Sequence, residues 1–268
     1  MNDLIKAFMM FIIITAATAA WAIDVPEKNE RQPEQKSIDG SKSTPMQPDG
    51  KWHVHDPDRP QPPVVEPEYD GKPVPAPKGA KIIFDGTNLD NLVNKDWKIK
   101  DGVMIAAKGS QKSKEAFGDV HLHLEWRVSP KSVKGWGQKQ GNSGVLMMEK
   151  YEIQILNCWA NRTYPDGMTG ALYGQHPPLA NACRKTGEWN SYDIKFKAPV
   201  FKNNKLVKPA YASIYLNNVL IQDNAAFTGA TIWRKLPKYK PHEPKAPFSL
   251  QYHANPVEFR NIWAVPKE

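Results

Sequence analysis

The chain has 268 residues, 40% of them hydrophobic, which is ample for one large core or two small ones. Its net charge of +8 is unevenly shared: residues 23–80 carry 8 basic and 11 acidic side chains (net −3), residues 81–268 carry 27 and 16 (net +11), and Lys6 and Asp3 cancel in the first 22. The lysines are scattered, and no recognition helix or aromatic-basic motif accompanies them, so nucleic-acid binding is excluded in favour of a solvated basic surface.

Lys6 precedes an apolar run from Ala7 to Ile14, then small residues, then Ala20-Trp21-Ala22. This is the pattern of a bacterial signal peptide cleaved after Ala22, and the run is too short for a membrane span. It predicts a secreted or periplasmic protein with no span left after cleavage. Residues 23–80 follow with 12 of the 24 prolines and almost no apolar periodicity. They predict a Pro-rich extended or disordered arm, whose stretch up to residue 48 should be removable without loss of fold. Residues 50–65 mix Trp52 and β-branched residues with a polyproline-like run and are expected to lie across the following domain. His53 and His55 alternate as metal ligands do, but in such an arm they read as ordinary polar residues.

From Lys81 to the end the pattern is strand after strand. Trp97 to Ala106 reads as a hairpin turning at Asp101-Gly102, where both turn positions want positive φ. Val120, Leu122, Leu124, Trp126 and Val128 alternate with polar residues, as in a long half-buried strand. Tyr192, Ile194 and Phe196 alternate again, and residues 212–221 turn at Asn217-Asn218. Residues 248–253 and 257–265 complete the series. No run has period 3.6 beyond the leader. The class is all-β, an antiparallel sandwich or barrel over residues 81–268.

Within residues 141–156 a polar file lies inside a buried-strand pattern. Tyr151, Ile153 and Ile155 share one face, and Glu152 and Gln154 share the other. Gly141 and Gly144 bracket Asn142 and Ser143, a loop that lets backbone approach a ligand. Ser249, Gln251 and His253 form a second polar file at the same two-residue spacing, and Arg260 and Asn261 add a cation and an amide. Tyr173, Trp159 and Trp189 offer flat apolar faces, and Gln175 and His176 follow Tyr173 closely. Carboxylate, amides, a cation and rings together suit a sugar. A retaining glucanase wants two carboxyl groups ~5–5.5 Å apart, whereas Glu149 and Glu152 face opposite ways on a regular strand. A lone Glu152 near His253 suits proton abstraction better. Cys158 and Cys183 are the only cysteines, and in an oxidising compartment the pair is expected as a disulfide, two free buried thiols being the alternative.

Five blocks carry a family resemblance: Gly141-Asn142-Ser143-Gly144-Val145, Tyr151-Glu152-Ile153-Gln154-Ile155-Leu156, Thr169-Gly170-Ala171-Leu172-Tyr173-Gly174, Gly187-Glu188-Trp189-Asn190 and Phe259-Arg260-Asn261-Ile262. In order and spacing they resemble the 3-keto-disaccharide hydrolase family, the DUF1080 domain, over about residues 81–266. The resemblance implies a concanavalin A-like jelly-roll sandwich and cleavage of glycosides whose 3-hydroxyl has been oxidised to a ketone. It implies divalent-metal dependence for some members, but no ligand cluster in this chain places an ion. From residue chemistry, Glu152 and His253 are expected as base and acid, in an order left open, and Arg260 as partner of the developing oxyanion. Asn142, Gln154, Gln175, His176, Gln251 and Asn261 are expected to bind hydroxyls, and Tyr173 and Trp189 to stack. The alternative is a carbohydrate-binding domain with the same groove and no turnover.

Overall fold

The computed structural model describes residues 39–267, so the leader read at 1–22 and the front of the arm lie outside the described residues. Fourteen strands carry the fold: β1 (Lys81–Phe84), β2 (Lys98–Lys100), β3 (Val103–Ile105), β4 (Gln111–Lys112), β5 (Val120–Arg127), β6 (Ser143–Met147), β7 (Tyr151–Ile155), β8 (Asn190–Lys197), β9 (Val200–Lys202), β10 (Lys205–Lys208), β11 (Tyr211–Leu216), β12 (Val219–Ala226), β13 (Ser249–Leu250) and β14 (Glu258–Pro266). The helical residues among those described are three single 3-10 turns. An eight-stranded antiparallel sheet runs in the order β12-β11-β8-β5-β14-β3-β2, with β1 also pairing β14. A four-stranded sheet, β4-β13-β6-β7, lies against it, and β9-β10 form a separate hairpin.

Strand alternation explains the sandwich. On β8, Tyr192, Ile194 and Phe196 are fully buried, and on β5 so are Val120, Leu122, Leu124 and Trp126. They meet Tyr151, Ile153 and Ile155 of β7 across the interior: the Tyr151 and Phe196 rings stand 5.8 Å apart, and Tyr192 Oη donates to the Gln154 carbonyl at 2.6 Å. This is the jelly-roll kind of sandwich that the resemblance implies. The expected hairpins close as read, with positive φ at Asp101 and Gly102 and at Asn217 and Asn218. Asn203-Asn204 makes a third such turn, between β9 and β10, that was not anticipated.

The front of the arm departs from expectation, while residues 50–65 lie across the domain as read. From Asp39 onward it is not loose but is laid along the domain, because extended segments without apolar periodicity can still bond through their backbones. Val65 N donates to Asn181 O, and Glu68 N and Tyr69 N both donate to Asn217 O. Val54 is fully buried, and Thr44, Gln47, His55 and Asp56 are buried with it. The Gln47 side chain donates to the Gly174 carbonyl at 2.8 Å, and His55 N donates to Asp166 Oδ2 at 3.0 Å. Burying Val54 alone is worth about 1.5–3 kcal/mol. A chain beginning at Pro57 should therefore melt at least about 5 °C lower than one beginning at Asp39. Equal melting temperatures in a thermal scan would mean that the arm is only draped on the surface.

The outer face of β5 is also covered. His123 and Glu125 are fully buried, although the alternation predicts a solvated face. The arm accounts for it: Val74 N donates to Glu125 Oε1 at 2.8 Å, and Asn261 and Arg260 reach the same carboxylate.

Candidate active site

β7 is buried along both faces, so on its polar side Glu152 faces a partly roofed pocket and Gln154 is sealed beneath it, instead of both lining the open groove expected. The roof comes from the chain after β7, which returns along its free edge. Gln154 N donates to Ala171 O, Gly170 N to Gln154 O, and Tyr173 N to Glu152 O. A second segment, residues 230–233, is held by Thr231 N on Lys150 O and by Glu152 N on Thr231 Oγ1. The half-open cavity of about 460 Å³ is lined by Gln138, Asn142, Leu146, Glu152, Tyr164, Tyr173, Thr231, Trp233, Gln251 and His253. That volume suits a sugar or a small glycoside.

Glu152 lies at the bottom, and burial pushes its carboxyl up to about 8, against a smaller opposing hydrogen bond from Gln251. It is protonated at neutral pH. A Cβ on Gly144 would sit 2.8 Å from both Glu152 Oε1 and Gln251 Oε1, so this glycine makes room for those two side chains and not for ligand, as had been expected. One end of the Gln154 amide lies 2.9 Å from Gln138 Oε1 and 3.2 Å from Asn142 Oδ1, and the other lies 2.8 Å from the Ser143 carbonyl and 3.3 Å from Glu152 Oε1. Gln138 is fixed in turn by the Gly167 carbonyl and by Thr163. At the mouth, exposed His253 meets Gln251 Oε1 through Nε2 at 3.1 Å, and partial burial holds it below the usual imidazole range. A neutral ring with its proton on Nε2 leaves Nδ1 as an accepting lone pair.

Two tyrosines form one wall, Tyr164 Oη and Tyr173 Oη being 2.8 Å apart. His55 of the arm packs behind both, 4.2 and 4.9 Å between ring centroids. Sequence reasoning left His55 as a bystander, yet it supports the wall. It also missed Gln138, Leu146, Tyr164, Thr231 and Trp233. Of these, Trp233 left the clearest signal, a tryptophan in a loop rich in Lys and Pro with no strand pattern to bury it.

Glu152, His253, Asn142, Tyr173 and Gln251 are thus brought together around the cavity; Gln154, expected to bind hydroxyls, is fully buried and outside the lining, where its amide braces Gln138 and Asn142, and five other expected residues lie elsewhere. Arg260 lies on the outer face of the large sheet, donating from Nε to Glu125 Oε2 at 2.6 Å and from Nη2 to Gly71 O at 2.6 Å. Asn261 donates to Glu125 Oε1 and to Val74 O, both at 2.7 Å. Trp189 is clasped between two guanidinium groups, Arg260 at 4.1 Å and Arg127 at 4.6 Å from its centroid, so it is not free to stack on sugar. Gln175 accepts from Thr228 N at 2.7 Å, pinning the loop that carries Thr231 and Trp233, and His176 Nε2 bonds the Ala226 carbonyl at 3.1 Å. Trp159 does not line the cavity either. Glu149 sits in the β6–β7 turn, ion-paired to Lys112 at 2.5 Å, and among the described residues no carboxylate other than Glu152 lines the cavity.

Cys158 and Cys183 are both buried free thiols and not the disulfide expected. They interact with each other, and Thr169 N donates to Cys158 Sγ at 3.3 Å. For a metal, the pocket offers one carboxyl and one imidazole among amides and phenols. Among the described residues no group of three or more His, Cys, Asp or Glu is arranged to hold an ion. This donor set does not fit a divalent-metal site of the usual ligand number.

Residues 79–265 match the model of the 3-keto-alpha-glucoside-1,2-lyase-like domain. The chain belongs to that family. A crystal structure from Parabacteroides distasonis ATCC 8503, provisionally described as a glycosyl hydrolase, is 38% identical, with 78% of this chain and 93% of that one covered and a TM-score of 0.71. A second structure from the same organism, described in the same way, shares the fold at 18% identity, with 71% and 95% of the chains covered and a TM-score of 0.51. No curated protein matches the chain. The family and the 38% identical structure agree on a carbohydrate-active hydrolase domain.

Proposed function

We propose that the Glu152 pocket cleaves 3-keto-glycosides by removing the C2 proton and expelling the glycosidic oxygen from C1. The observation that carries this reading is a single buried carboxyl, held protonated at neutral pH, in a sugar-sized pocket with a neutral imidazole at its mouth. A ketone at C3 acidifies the C2 proton, so one base suffices and a carboxylate nucleophile is not needed. His253 takes the C2 proton on Nδ1. Electrons of the broken C–H bond form an enolate with the C3 oxygen, then return to form the C1–C2 double bond as the C1–O bond breaks. Glu152 gives its proton to the departing oxygen. The product is an enone, to which water adds at C1 when the net outcome is hydrolysis. Asn142, Gln138 and Gln251 carry the amides available to the hydroxyls and to the enolate oxygen. Trp233, 66% exposed at the rim, replaces Trp189 as the stacking face. A domain that only bound sugar would gain nothing from burying a carboxyl at such cost.

The reading makes a pH prediction. His253 must be neutral, which holds above a value lying below its usual 6.5, and Glu152 must be protonated, which holds below about 8. For cleavage of a 3-keto-disaccharide, kcat/KM should trace a bell with its alkaline limb near pH 8, and Glu152→Gln should abolish that limb. A wild-type rate still climbing beyond pH 9 would show that no protonated carboxyl takes part.

A further inference from the structure

On the other side of residues 230–233 lies a second cavity, about 830 Å³, lined by Lys150, Lys235, Lys238 and Lys240 around a floor that includes Ile232 and Leu236. It presents four lysines and no acid. None of the four makes an ion pair among the described residues, whereas Lys42, Lys72, Lys81 and Lys112 each pair with a carboxylate. His242, also in the lining, has both ring nitrogens in hydrogen bonds, Nδ1 donating to the Glu243 carbonyl at 2.7 Å and Nε2 lying 2.7 Å from Tyr151 Oη. The rest of the lining is apolar, and Ile232 and Trp233 stand exposed on the ridge shared with the Glu152 pocket.

We propose that this cavity binds the acidic unit of an oligosaccharide, a sugar bearing a carboxylate or a sulfate ester, with its C–H face on the apolar floor and its anion among Lys150, Lys235, Lys238 and Lys240. Charge complementarity selects the anion, and four unneutralised ammonium groups around one concavity raise its local concentration. The mixed lining selects a sugar over a bare ion, since an inorganic anion would leave the apolar floor wet. Proximity across one short ridge makes the acidic unit a neighbour of the sugar in the Glu152 pocket. That last connection rests on the proposed function; the binding itself does not.

The test is calorimetric titration of the full chain at low ionic strength with an oligogalacturonate, a sulfated oligosaccharide and a neutral malto-oligosaccharide of matched length. None of these carries a 3-ketone, so the result is independent of the proposed reaction. At least one acidic oligomer should bind about tenfold or more tightly than the neutral one, with affinity falling as salt rises. The triple variant K235A/K238A/K240A, altered only at exposed positions, should lose about tenfold or more. A control triple on the exposed β9–β10 hairpin, K202A/K205A/K208A, should change affinity less than about twofold. Equal affinity for the neutral oligomer, equal losses in both triples, or no binding of either acidic oligomer would overturn the proposal. So would a preference for anionic lipid vesicles over both acidic oligomers.

Discussion

Glu152→Gln should lower turnover of a 3-keto-disaccharide by about 10²–10⁴-fold, the usual worth of a general acid, while the protein becomes more stable. In the unfolded chain the carboxyl ionises near 4.5, whereas in the fold it stays protonated up to about 8. Folding stability is therefore lost as pH rises from the first value through the second. The amide removes that loss, worth up to about 4 kcal/mol at pH 8 and nothing below pH 4. A chemical-denaturation series at pH 4, 6 and 8 checks the sign. The leaving group tests the role. An aryl 3-keto-glucoside departs without a proton, so Glu152→Gln should be nearly as fast as wild type on it, while His253→Ala is slow on both substrates. Equal loss on both by Glu152→Gln would exchange the two roles.

Arg260→Ala should have the second largest effect, and on stability instead of chemistry. Glu125 is fully buried and holds one of its two oxygens for Arg260. Although burial raises its carboxyl, hydrogen bonds from His123, Asn261, Val74 and Arg260 outweigh burial and hold it below the usual range. Removing the guanidinium leaves a buried charge short of its partner, at a cost of about 3–5 kcal/mol. The arm loses the Gly71 anchor as well. The depressed Glu125 contributes stability above its unfolded value, which is lost as pH falls, so the deficit of the variant should shrink in acid. Turnover per folded molecule should stay within about twofold of wild type. A fall in kcat at unchanged melting temperature would return Arg260 to the active site.

Why Glu152 was legible and Arg260 was misplaced is a matter of strand parity. On β7 the alternation is regular, so Tyr151, Ile153 and Ile155 face the core as read, and Glu152 and Gln154 face away. Gln251 and His253 joined them through β13, whose register on Val145 and Leu146 aligns it with β6. Parity gives two faces of a strand but not the sheet to which the strand belongs. Arg260 and Asn261 belong to β14 of the large sheet, on its outer face under the arm, and Trp189 stands beside them just ahead of β8. Asn261 also lies in a bulge with φ of 48°, where the pairing with β5 slips, so simple alternation fails at that point. Tyr164, Thr231 and Trp233 come from loops without period, which only the closed fold brings to the pocket. Residues 50–65 were legible as a segment lying across the domain, but the points at which the arm is fastened were hidden for a related reason. Its anchors are backbone groups and single side chains such as Gln47, His55 and Val54, and no hydrophobic pattern records them.

The most direct measurement of the central claim is monosaccharide release from a 3-keto-disaccharide and from its unoxidised parent, followed side by side with the same protein. The account predicts release from the oxidised sugar alone, because only a 3-ketone makes the C2 proton available to a single base. Comparable release from the parent would contradict it, and would require a second carboxylate that the pocket around Glu152 does not contain.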